Sequence, residues 1–395
     1  MPKRKILFIN DSLWSGSGVF RSLQQILNTL DYDKFDVTLY ILPDAKTERE
    51  MLEALPKEVR VMIGEDGAHY YRAPDVALLY LLARFASLVK AKDSAETLNK
   101  KVRRRIREKK YRAPSKTCFL KSDFDVVVAN TVPRCAPTAA YIRSNKKYAV
   151  FHSSKAEFFP DETAEALRRF DGLIAVSEGV RLVLADAYPA YREKLLTVTN
   201  YVDADAIRQK ALDGTPPERG EAPVLCTCGR LSREKGFDLA VEAARLLKTQ
   251  GHTFIWYFVG DGDCRKALEE KIHACGLDAD IVITGFLTNP YPYIAGCDIY
   301  IQPSREESYG LTIAEARILN RVIVATETIG AKTVFAGGAW GILTPASAEG
   351  LAEGIGKLLR DSARRTVPEQ CRYTPEDSEK DRQAFVYAWD RLLSE

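Results

Sequence analysis

Two short segments in the second half of the chain place charged side chains at spacings that suit a phosphorylated ligand rich in hydroxyl groups. In the first, an apolar run ends at Gly229, and Arg230 and Lys235 follow before an amphipathic helical pattern begins. Backbone amides at the start of a helix carry partial positive charge, and fixed cations beside them complete a diphosphate site. We expect Gly229 to let the backbone turn sharply and Gly236 to let a bulky ligand approach. The alternative is that both cations are ordinary solvated surface side chains.

The second segment, residues 304 to 316, places Glu307 and Glu315 with seven residues between them, and it has the same strand, loop and helix order. Ile299–Gln302 reads as the strand and Gly310–Asn320 as the helix. Ser308, Tyr309 and Gly310 would then offer backbone amides to phosphate at the start of that helix. Carboxylates beside a diphosphate would repel it unless they face the hydroxyl groups of the ligand, which indicates a nucleotide sugar. Two alternatives need no ligand: Thr312-x-x-Glu315 matches a capping box, and Glu307 could be a solvated loop carboxylate.

Length and composition set the broad class. A chain of 395 residues is expected to form two domains of about 150 to 200 residues each. The 46% apolar and 28% charged residues are typical of a soluble globular protein, and a net charge of +3 gives no overall field for nucleic acid. The eight cysteines form no C-x-x-C pair, which indicates reduced, mostly buried thiols in the cytoplasm. The four histidines show no zinc-ligand spacing.

Apolar strand-like runs alternate with helical patterns along most of the chain, which predicts two doubly wound units with parallel sheets. A linker is predicted at Gly214–Pro223, where the alternation lapses. The predicted strands are Ile6–Ile9, Phe35–Leu42, Asp125–Ala129, Tyr148–Phe151, Gly172–Val176 and Leu195–Val198 before the linker, and Val224–Cys228, Phe254–Val259, Ile281–Thr284, Ile299–Gln302 and Val322–Ala325 after it.

A segment in the first half departs from this rhythm. Residues 74–92 form an apolar helix candidate, and Lys100–Arg112 carries nine basic residues and a single glutamate. A solvated helical insertion is the favoured interpretation; an anionic membrane surface bound through residues 74–112 is the second, and nucleic-acid binding ranks last. The longest apolar stretch, Val76–Val89, is shorter than the about 20 residues that a spanning helix needs. No secretory apolar region follows the N-terminus, so we expect a cytoplasmic protein, at most peripheral on the inner face of the membrane.

Taken together, the motifs resemble those of the retaining family-four glycosyltransferases with the GT-B architecture. In the second half, the matching motifs are Gly229-Arg-Leu with Lys235-Gly236, Val259-Gly-Asp-Gly262, Thr284-Gly-Phe286 and Glu307-x7-Glu315. In the first half, looser matches are Gly16-Ser-Gly18, Phe151-His152-Ser153, Val176-Ser177-Glu178 and Thr199–Asp203. Two departures are Tyr309, where the family usually has Phe, and a glycine-rich segment reduced to Ile329-Gly-Ala.

The resemblance implies two Rossmann-like domains that face a cleft. The expected domains are an acceptor-binding domain at 1–205, with the insertion at about 64–122, and a nucleotide-sugar-binding domain at 206–375. Residues 376–395 would form a helix that crosses back onto the first domain. The pattern of Glu379–Leu393 agrees with such a helix, because its apolar residues fall on one face.

The resemblance also implies roles for single residues. Arg230 and Lys235 would bind the donor diphosphate and stabilise the leaving nucleotide in place of a metal, so no cofactor or metal is expected. Glu307 and His152 would contact the donor sugar, and Glu315 the ribose hydroxyls. The remaining donor contacts would be Gly16 and Gly18 in the first glycine loop, Gly285 and Phe286 beside the base, and Ser308, Tyr309, Gly310 and Leu311 at the phosphates. Taken without the resemblance, His152 reads as a core histidine at a strand end.

The function implied is a retaining, metal-independent hexosyltransferase that moves a sugar from a nucleoside-diphosphate donor, expected to be a UDP-sugar. The acceptor would be a glycan or a lipid-linked glycan in cell-surface polysaccharide synthesis. In this family the leaving phosphate is usually described as assisting the acceptor, and the sequence singles out no carboxylate nucleophile. Alternatives are a non-catalytic nucleotide-sugar binder, an epimerase, or an NAD-dependent oxidoreductase. Against the last, Gly16-x-Gly18 lacks a third glycine and the second strand ends at Leu42-Pro43 rather than at an acid.

Overall fold

The computed structural model describes residues 2–14, 16–42, 47–64, 123–153, 161–335 and 340–395. The segment 65–122 therefore lies outside the described residues, and with it the predicted insertion and the predicted membrane surface at 74–112. In the rest of the chain, the residues divide into two compact units.

Neither unit is a single continuous stretch of chain. The first unit comprises Met1–Ala175, Val183–Val198 and Val386–Glu395, and the second comprises Val176–Leu182 and Thr199–Phe385. Compared with the boundary predicted at residue 205, the second unit takes residues 176–182 and 199–205 from the first half of the chain. The last ten residues belong to the first unit.

The first unit is built on a seven-stranded parallel sheet with the strand order β3-β2-β1-β4-β5-β6-β7. Two of its interior strands, at residues 6–9 and 126–129, each carry four consecutive fully buried apolar residues, as expected for parallel strands covered by helices on both faces. The strands are β1 (Arg4–Asn10), β2 (Phe35–Ile41), β3 (Arg60–Ile63), β4 (Phe124–Ala129), β5 (Ser144–Phe151), β6 (Gly172–Ala175) and β7 (Leu195–Thr197).

The second unit repeats this plan with six parallel strands in the order β10-β9-β8-β11-β12-β13. Its core contains stacked aromatic side chains, with the rings of Trp256 and Phe258 5.5 Å apart and edge-on to each other. The strands are β8 (Val224–Cys228), β9 (Ile255–Val259), β10 (Ile281–Gly285), β11 (Ile299–Gln302), β12 (Val322–Thr326) and β13 (Gly341–Thr344). The predicted fold class of two doubly wound parallel units is confirmed.

Helices connect these strands, and several begin at residues whose side chains accept a backbone amide hydrogen bond. Ser17, Asp203 and Ser347 cap their helices in this way. In chain order the helices are α1 (Gly18–Thr29), α2 (Arg49–Glu53), α3 (Ala136–Ala139), α4 (Asp161–Leu167), α5 (Glu178–Ala187), α6 (Ala204–Leu212), α7 (Phe237–Thr249), α8 (Arg265–Ala274), α9 (Tyr291–Gly296), α10 (Leu311–Ile318), α11 (Ile329–Phe335), α12 (Ala348–Arg360) and α13 (Pro375–Ser394).

Among the described residues, strands β3 and β13 and helices α6 and α12 were not predicted. Strands β3 and β13 lie at sheet edges, where most of their side chains are only partly buried, so they lack a continuous apolar run. Helix α6 lies in the segment where the alternation lapses. Gly214–Pro223 has no regular structure, but it lies inside the second unit, so the prediction that it links the two units is wrong.

Two further findings bear on the sequence predictions. Across the ranges described above, no helix is both long enough and apolar enough to cross a bilayer. The cysteines at 135, 226, 228, 264, 275, 297 and 371 are free thiols, and four of them are buried.

The last helix, α13, contributes side chains to both units. Phe385, the last residue assigned to the second unit, packs against Tyr201 with ring centroids 5.6 Å apart. Four residues later, Trp389 packs against Phe8 of β1 at 6.2 Å. The end of the helix therefore completes the core of the first unit.

This packing predicts a matched pair of stability effects. Trp389 is 2% exposed and Tyr387 is 69% exposed on the same helix. We expect Trp389→Ala to lower the free energy of unfolding of the first unit by about 3–5 kcal/mol, because it leaves a large cavity beside Phe8. Tyr387→Ala should change it by about 0.5 kcal/mol or less. Urea unfolding followed by circular dichroism measures both, and equal unfolding midpoints for the two variants would contradict this packing.

Candidate active site

The loops that follow β8 and β11 lie at the point where the strand order of the second sheet reverses. Successive strands pair outward from β8 in one direction through β9 and β10, and β11 pairs with β8 on its other side. In open parallel sheets, ligands bind at the carboxyl ends of the strands at such a switch point. Both charged segments found in the sequence follow these two strands, so the topology brings them to one place.

Lys235 ends a short 3₁₀ turn, Arg233–Lys235, just before α7. Gly236 follows with a φ of +68°, and a Cβ at Gly236 would lie 2.0 Å from the carbonyl oxygen of Pro303. Glycine is therefore required at 236 by backbone conformation and by close packing of the other loop. At Gly229, a Cβ would meet nothing closer than the Lys235 side chain at 3.9 Å. The glycine at 236 is therefore explained by packing against Pro303, whereas the approach of a ligand to Gly236 stays a prediction.

The carboxylate of Glu307 lies against the ammonium group of Lys235. Their Oε1 and Nζ atoms are 2.6 Å apart, and the side chains are 9% and 24% exposed. Oε1 also accepts hydrogen bonds from Gln302 Nε2 at 3.0 Å and Ser304 Oγ at 2.9 Å. Glu307 is thus neither solvated nor remote from the predicted anion site, and it forms an ion pair between the two loops.

Gln302 is a residue of the site that sequence reasoning missed. It is the last residue of β11 and only 1% exposed. Its Oε1 accepts from the hydroxyl groups of Tyr300 and Thr312, both at 2.9 Å. The sequence did contain a signal for it, namely a side-chain amide at the end of an otherwise hydrophobic strand. A buried amide needs hydrogen-bond partners, so such a residue indicates polar contacts nearby.

Arg305 fixes the loop between β11 and Glu307. Its guanidinium group forms a two-pronged pair with Asp238 of α7, both N···O distances being 2.7 Å, and Nη1 also donates to the carbonyl of Arg233. Its backbone amide donates to the carbonyl of Glu234 at 2.8 Å. The hydrogen bond from Arg305 holds the pKa of Asp238 below its usual range. These contacts fasten the two loops together independently of Glu307.

Hydrogen bonds from two other segments hold the backbone at Glu307 and Ser308. The carbonyl of Glu307 accepts from the amide of Gly330 at 2.8 Å, and the carbonyl of Ser308 accepts from Ser177 Oγ at 2.7 Å. Gly310 has a φ of +82° and precedes α10, which begins at Leu311. The first backbone amides of a helix have no hydrogen-bond partner within it. The amides of Leu311 and Thr312 therefore form a helix N-terminus that suits an anion.

The capping box predicted for Thr312 and Glu315 does not form. The residue before the helix is Gly310, so Thr312 lies inside the first turn and its hydroxyl donates to Gln302. Glu315 is 2% exposed, with Oε1 3.4 Å from the hydroxyl group of Tyr291. Its contact with ribose hydroxyls stays a prediction.

Arg230 lies in the same loop as Lys235 but outside the ion pair. Its side chain is 52% exposed, and its Nη2 is 4.0 Å from Glu234 Oε1. That oxygen also accepts from Ser232 Oγ at 2.7 Å. The structure therefore brings Lys235 and Glu307 together, whereas the part of Arg230 in diphosphate binding stays a prediction.

Gly285 and Phe286 end β10 at the same edge of the sheet. Gly285 has a φ of +79°, and its carbonyl accepts from the amide of Gly260 at 3.0 Å. The side chain of Phe286 is 52% exposed, which is unusual for a large apolar residue. An exposed ring at this edge offers a face on which a base could stack.

The remaining predicted residues belong to the first unit. Gly16 lies between β1 and α1, where the ring of Trp14 lies close to it, and Gly18 is the first residue of α1. His152 follows β5, and burial lowers its pKa to about 4 although the backbone of Asn130 partly opposes this by hydrogen bonding. Its Nε2 is buried with no hydrogen-bond partner among the residues that the structure describes. The imidazole is therefore neutral at neutral pH.

Residues 222–361 match the family model for Glycosyl transferases group 1. The matched residues lie within the second unit and include both charged loops. Alpha-D-kanosaminyltransferase of Streptomyces kanamyceticus is 29% identical over 174 residues, 43% of this chain and 45% of that enzyme. The lipopolysaccharide core biosynthesis glycosyltransferase LpsE of Rhizobium meliloti (strain 1021) is 24% identical over 263 residues, 66% of this chain and 74% of that protein.

The likeness in fold extends further than the likeness in sequence. The crystal structure of Anabaena Alr3699/HepE in complex with UDP matches with a TM-score of 0.67 at 20% identity, covering 99% of this chain and 98% of the Anabaena chain. This chain therefore has the GT-B fold. The chain spans less than half the length of the first curated relative that it matches.

The depressed pKa of His152 predicts a pH-dependent stability. Its folded-state value of about 4 lies below the about 6.5 of an unfolded histidine, so the unfolded chain binds the proton first. The stability gained by keeping the ring neutral is present above pH 6.5 and is lost as the pH falls towards 4. We expect His152→Gln to show a smaller fall in Tm than the unaltered protein over this range. His273→Gln, at a side chain that is 83% exposed, serves as the control. Parallel Tm curves for His152→Gln and the unaltered protein would contradict the assignment.

Proposed function

We propose that this protein is a retaining glycosyltransferase that transfers a hexose from a UDP-sugar to a glycan or lipid-linked acceptor. The observation that carries the proposal is the ion pair between Lys235 and Glu307 at the switch point of the second sheet. A cation for the diphosphate and a carboxylate for the sugar hydroxyls are thereby held next to each other, as a nucleotide sugar requires.

The ion pair would serve both halves of the donor. Lys235 has three donor hydrogens, so it can keep its contact with Glu307 while it binds a phosphate oxygen beside Gly229. As the bond to the sugar breaks, negative charge grows on the diphosphate. A cation already held in place stabilises that charge without reorganisation, and partial burial strengthens the effect. The amides at the start of α10 would act in the same direction.

Several findings support UDP as the nucleotide and a glycan as the acceptor. Anabaena Alr3699/HepE was solved with UDP, and a related group 1 enzyme, LpsE, acts in lipopolysaccharide core biosynthesis. The exposed ring of Phe286 would border the base. We extend the proposal to synthesis of a cell-surface polysaccharide and to catalysis without a metal, in which Lys235 and Arg230 take the place of a cation. The binder, epimerase and oxidoreductase alternatives find no support among these relatives.

The function is tested by incubating the purified protein with a panel of UDP-sugars, with and without glycan acceptors and membrane extract. The proposal expects UDP to be released when acceptor is present, unchanged turnover in EDTA, and a product whose anomeric configuration matches that of the donor by NMR. A sugar altered while still bound to UDP would indicate an epimerase instead. UDP-sugar binding without transfer to any acceptor would indicate a non-catalytic binder.

Substitution of the two ion-pair residues should reduce turnover. We expect Lys235→Ala and Glu307→Ala each to lower kcat/KM at least about tenfold, equivalent to about 1.4 kcal/mol of transition-state stabilisation. Matched controls make the same changes nearby, at the exposed Glu306 and at Lys332, which is 59% exposed and paired with Glu327. Lower kcat/KM in variants that circular dichroism shows to be folded at the assay temperature would support the assignment. Normal turnover in both ion-pair variants would show that the site is wrongly placed.

We also propose that the basic segment within residues 74–112 binds an anionic membrane surface. Its nine basic residues at 100–112 support this, because such clusters attract anionic lipid headgroups. We expect the protein to sediment with vesicles containing phosphatidylserine but not with neutral phosphatidylcholine vesicles, and to be released by about 0.5 M salt, which shortens the screening length. Equal sedimentation with both kinds of vesicle would remove the proposal.

A further inference from the structure

Behind the ion pair lies a group of four neutral polar side chains, three of them buried and Thr312 half-buried, which we call the Gln302 relay: Tyr300, Gln302, Ser304 and Thr312. Tyr300 and Ser304 are fully buried, and Gln302 is 1% exposed. Burying so many polar groups in a hydrophobic core costs stability unless their hydrogen bonds are made. The relay joins β11 to the start of α10 and ends at the carboxylate of Glu307.

The side-chain amide of Gln302 uses its full hydrogen-bonding capacity. Its Oε1 accepts two hydrogen bonds, from Tyr300 and Thr312, and its Nε2 donates two, to Ser304 Oγ at 2.8 Å and to Glu307 Oε1 at 3.0 Å. Reversing the amide would place its oxygen against the carboxylate of Glu307. The negative charge of Glu307 therefore fixes the orientation of Gln302, and Gln302 in turn fixes Glu307.

All the donors that reach Glu307 act on the same oxygen. Lys235, Gln302 and Ser304 all donate to Oε1, and among the described residues none donates to Oε2. Three hydrogen bonds on one oxygen hold the carboxylate in a single rotamer. The arrangement leaves Oε2 as the atom that can accept from a ligand hydroxyl group.

We propose that Gln302 is a positioning residue, which locks the Glu307 carboxylate through Oε1 so that Oε2 accepts a hydroxyl group of the donor sugar. Thr312 and Tyr300 act behind it by orienting the amide. This inference rests on the proposed glycosyltransferase function, because it assigns the ligand of Oε2 as a sugar hydroxyl. Turnover would then depend on Gln302 as well, although Gln302 contacts neither the substrate nor the reacting atoms.

Two substitutions test the hydrogen bond itself. Gln302→Leu keeps the size but removes both donors, so kcat should fall at least about tenfold while the Kd for UDP, measured by calorimetry, stays within about twofold. Gln302→Glu keeps the size and adds a titratable group. When protonated it can donate to Glu307, and when ionised it repels Glu307. Its turnover relative to the unaltered protein should therefore fall about tenfold as the pH rises from about 5.5 to 8.5, because burial beside a carboxylate raises the pKa of the new acid above its usual value of about 4.3.

The charged and titratable groups around position 302 determine that profile. They are Glu307 and Lys235 in the loops, Tyr300 on the same strand, Cys226 and Cys228 on β8, and Glu315 on α10. Burial raises the pKa values of Tyr300 and Cys226, so both stay protonated over the tested range. The positive charge of Lys235 opposes the rise in the pKa of the acid introduced at position 302. The carboxylate of Glu307, which is hydrogen-bonded to Gln302 at 3.0 Å, acts in the same direction as burial.

A control separates positioning from packing. Ile301→Val removes one buried methylene from the same strand, at a residue that is 0% exposed, and is expected to cost about 0.5–1.5 kcal/mol of stability. It should leave kcat and the pH profile unchanged. If Gln302→Leu does not fold, Thr312→Val removes one donor to Gln302 Oε1, and kcat should fall about threefold to fivefold.

The outcomes distinguish this inference from the function on which it rests. A pH profile of Gln302→Glu that falls relative to the unaltered protein, together with normal turnover in Ile301→Val, supports positioning. An active protein whose Gln302 variants keep normal kcat and pH profiles overturns the inference and leaves the function intact. A loss of turnover in Ile301→Val as large as in Gln302→Leu also overturns it, since packing alone would explain both. If the unaltered protein releases no UDP in the presence of any acceptor, the proposed function fails.

Discussion

The ion pair between Lys235 and Glu307 is the constraint around which the second unit is arranged. Moving two charges out of water costs several kcal/mol, and their mutual attraction repays this only when further hydrogen bonds satisfy the remaining atoms. Gln302 and Ser304 supply those hydrogen bonds to Glu307. The Arg305–Asp238 pair lies beside it and holds the two loops at the distance that the 2.6 Å contact needs. The two loops are therefore held together by contacts within the protein itself.

Strand order explains why two segments about 70 residues apart in the chain meet at this point. β8 and β11 are neighbours in the sheet although two strands and their helices separate them in the chain. Because all the strands are parallel, the loops after β8 and β11 emerge at the same edge. Gly236 then lets the Pro303 carbonyl approach to a distance that any side chain would prevent. Sheet topology thus brings the loops together, and one glycine sets their final spacing.

Much of the fold could be predicted from the sequence because buried parallel strands consist of continuous runs of apolar residues. Ile6–Ile9, Val224–Cys228 and Ile299–Gln302 were found in this way, whereas the edge strands β3 and β13, which are only partly buried, were not. At the site, charge and spacing identified Lys235 and Glu307. They could not identify Gln302, because its importance lies in contacts with Thr312 and Glu307 that only the folded backbone creates. For the same reason, the sequence could not show that Gly236 is required by its positive φ and by its packing against Pro303.

The shared helix α13 has a consequence for how the chain acquires its structure. The core of the first unit includes Phe8 near one end of the chain and Trp389 near the other, and the residues of the second unit lie between them in sequence. During synthesis on the ribosome, the second unit has all its residues once Phe385 is made, while the first unit still lacks the tryptophan that packs against β1. The domain whose strands are made first is therefore the last to become complete. Until then its exposed sheet surface is a natural substrate for chaperones.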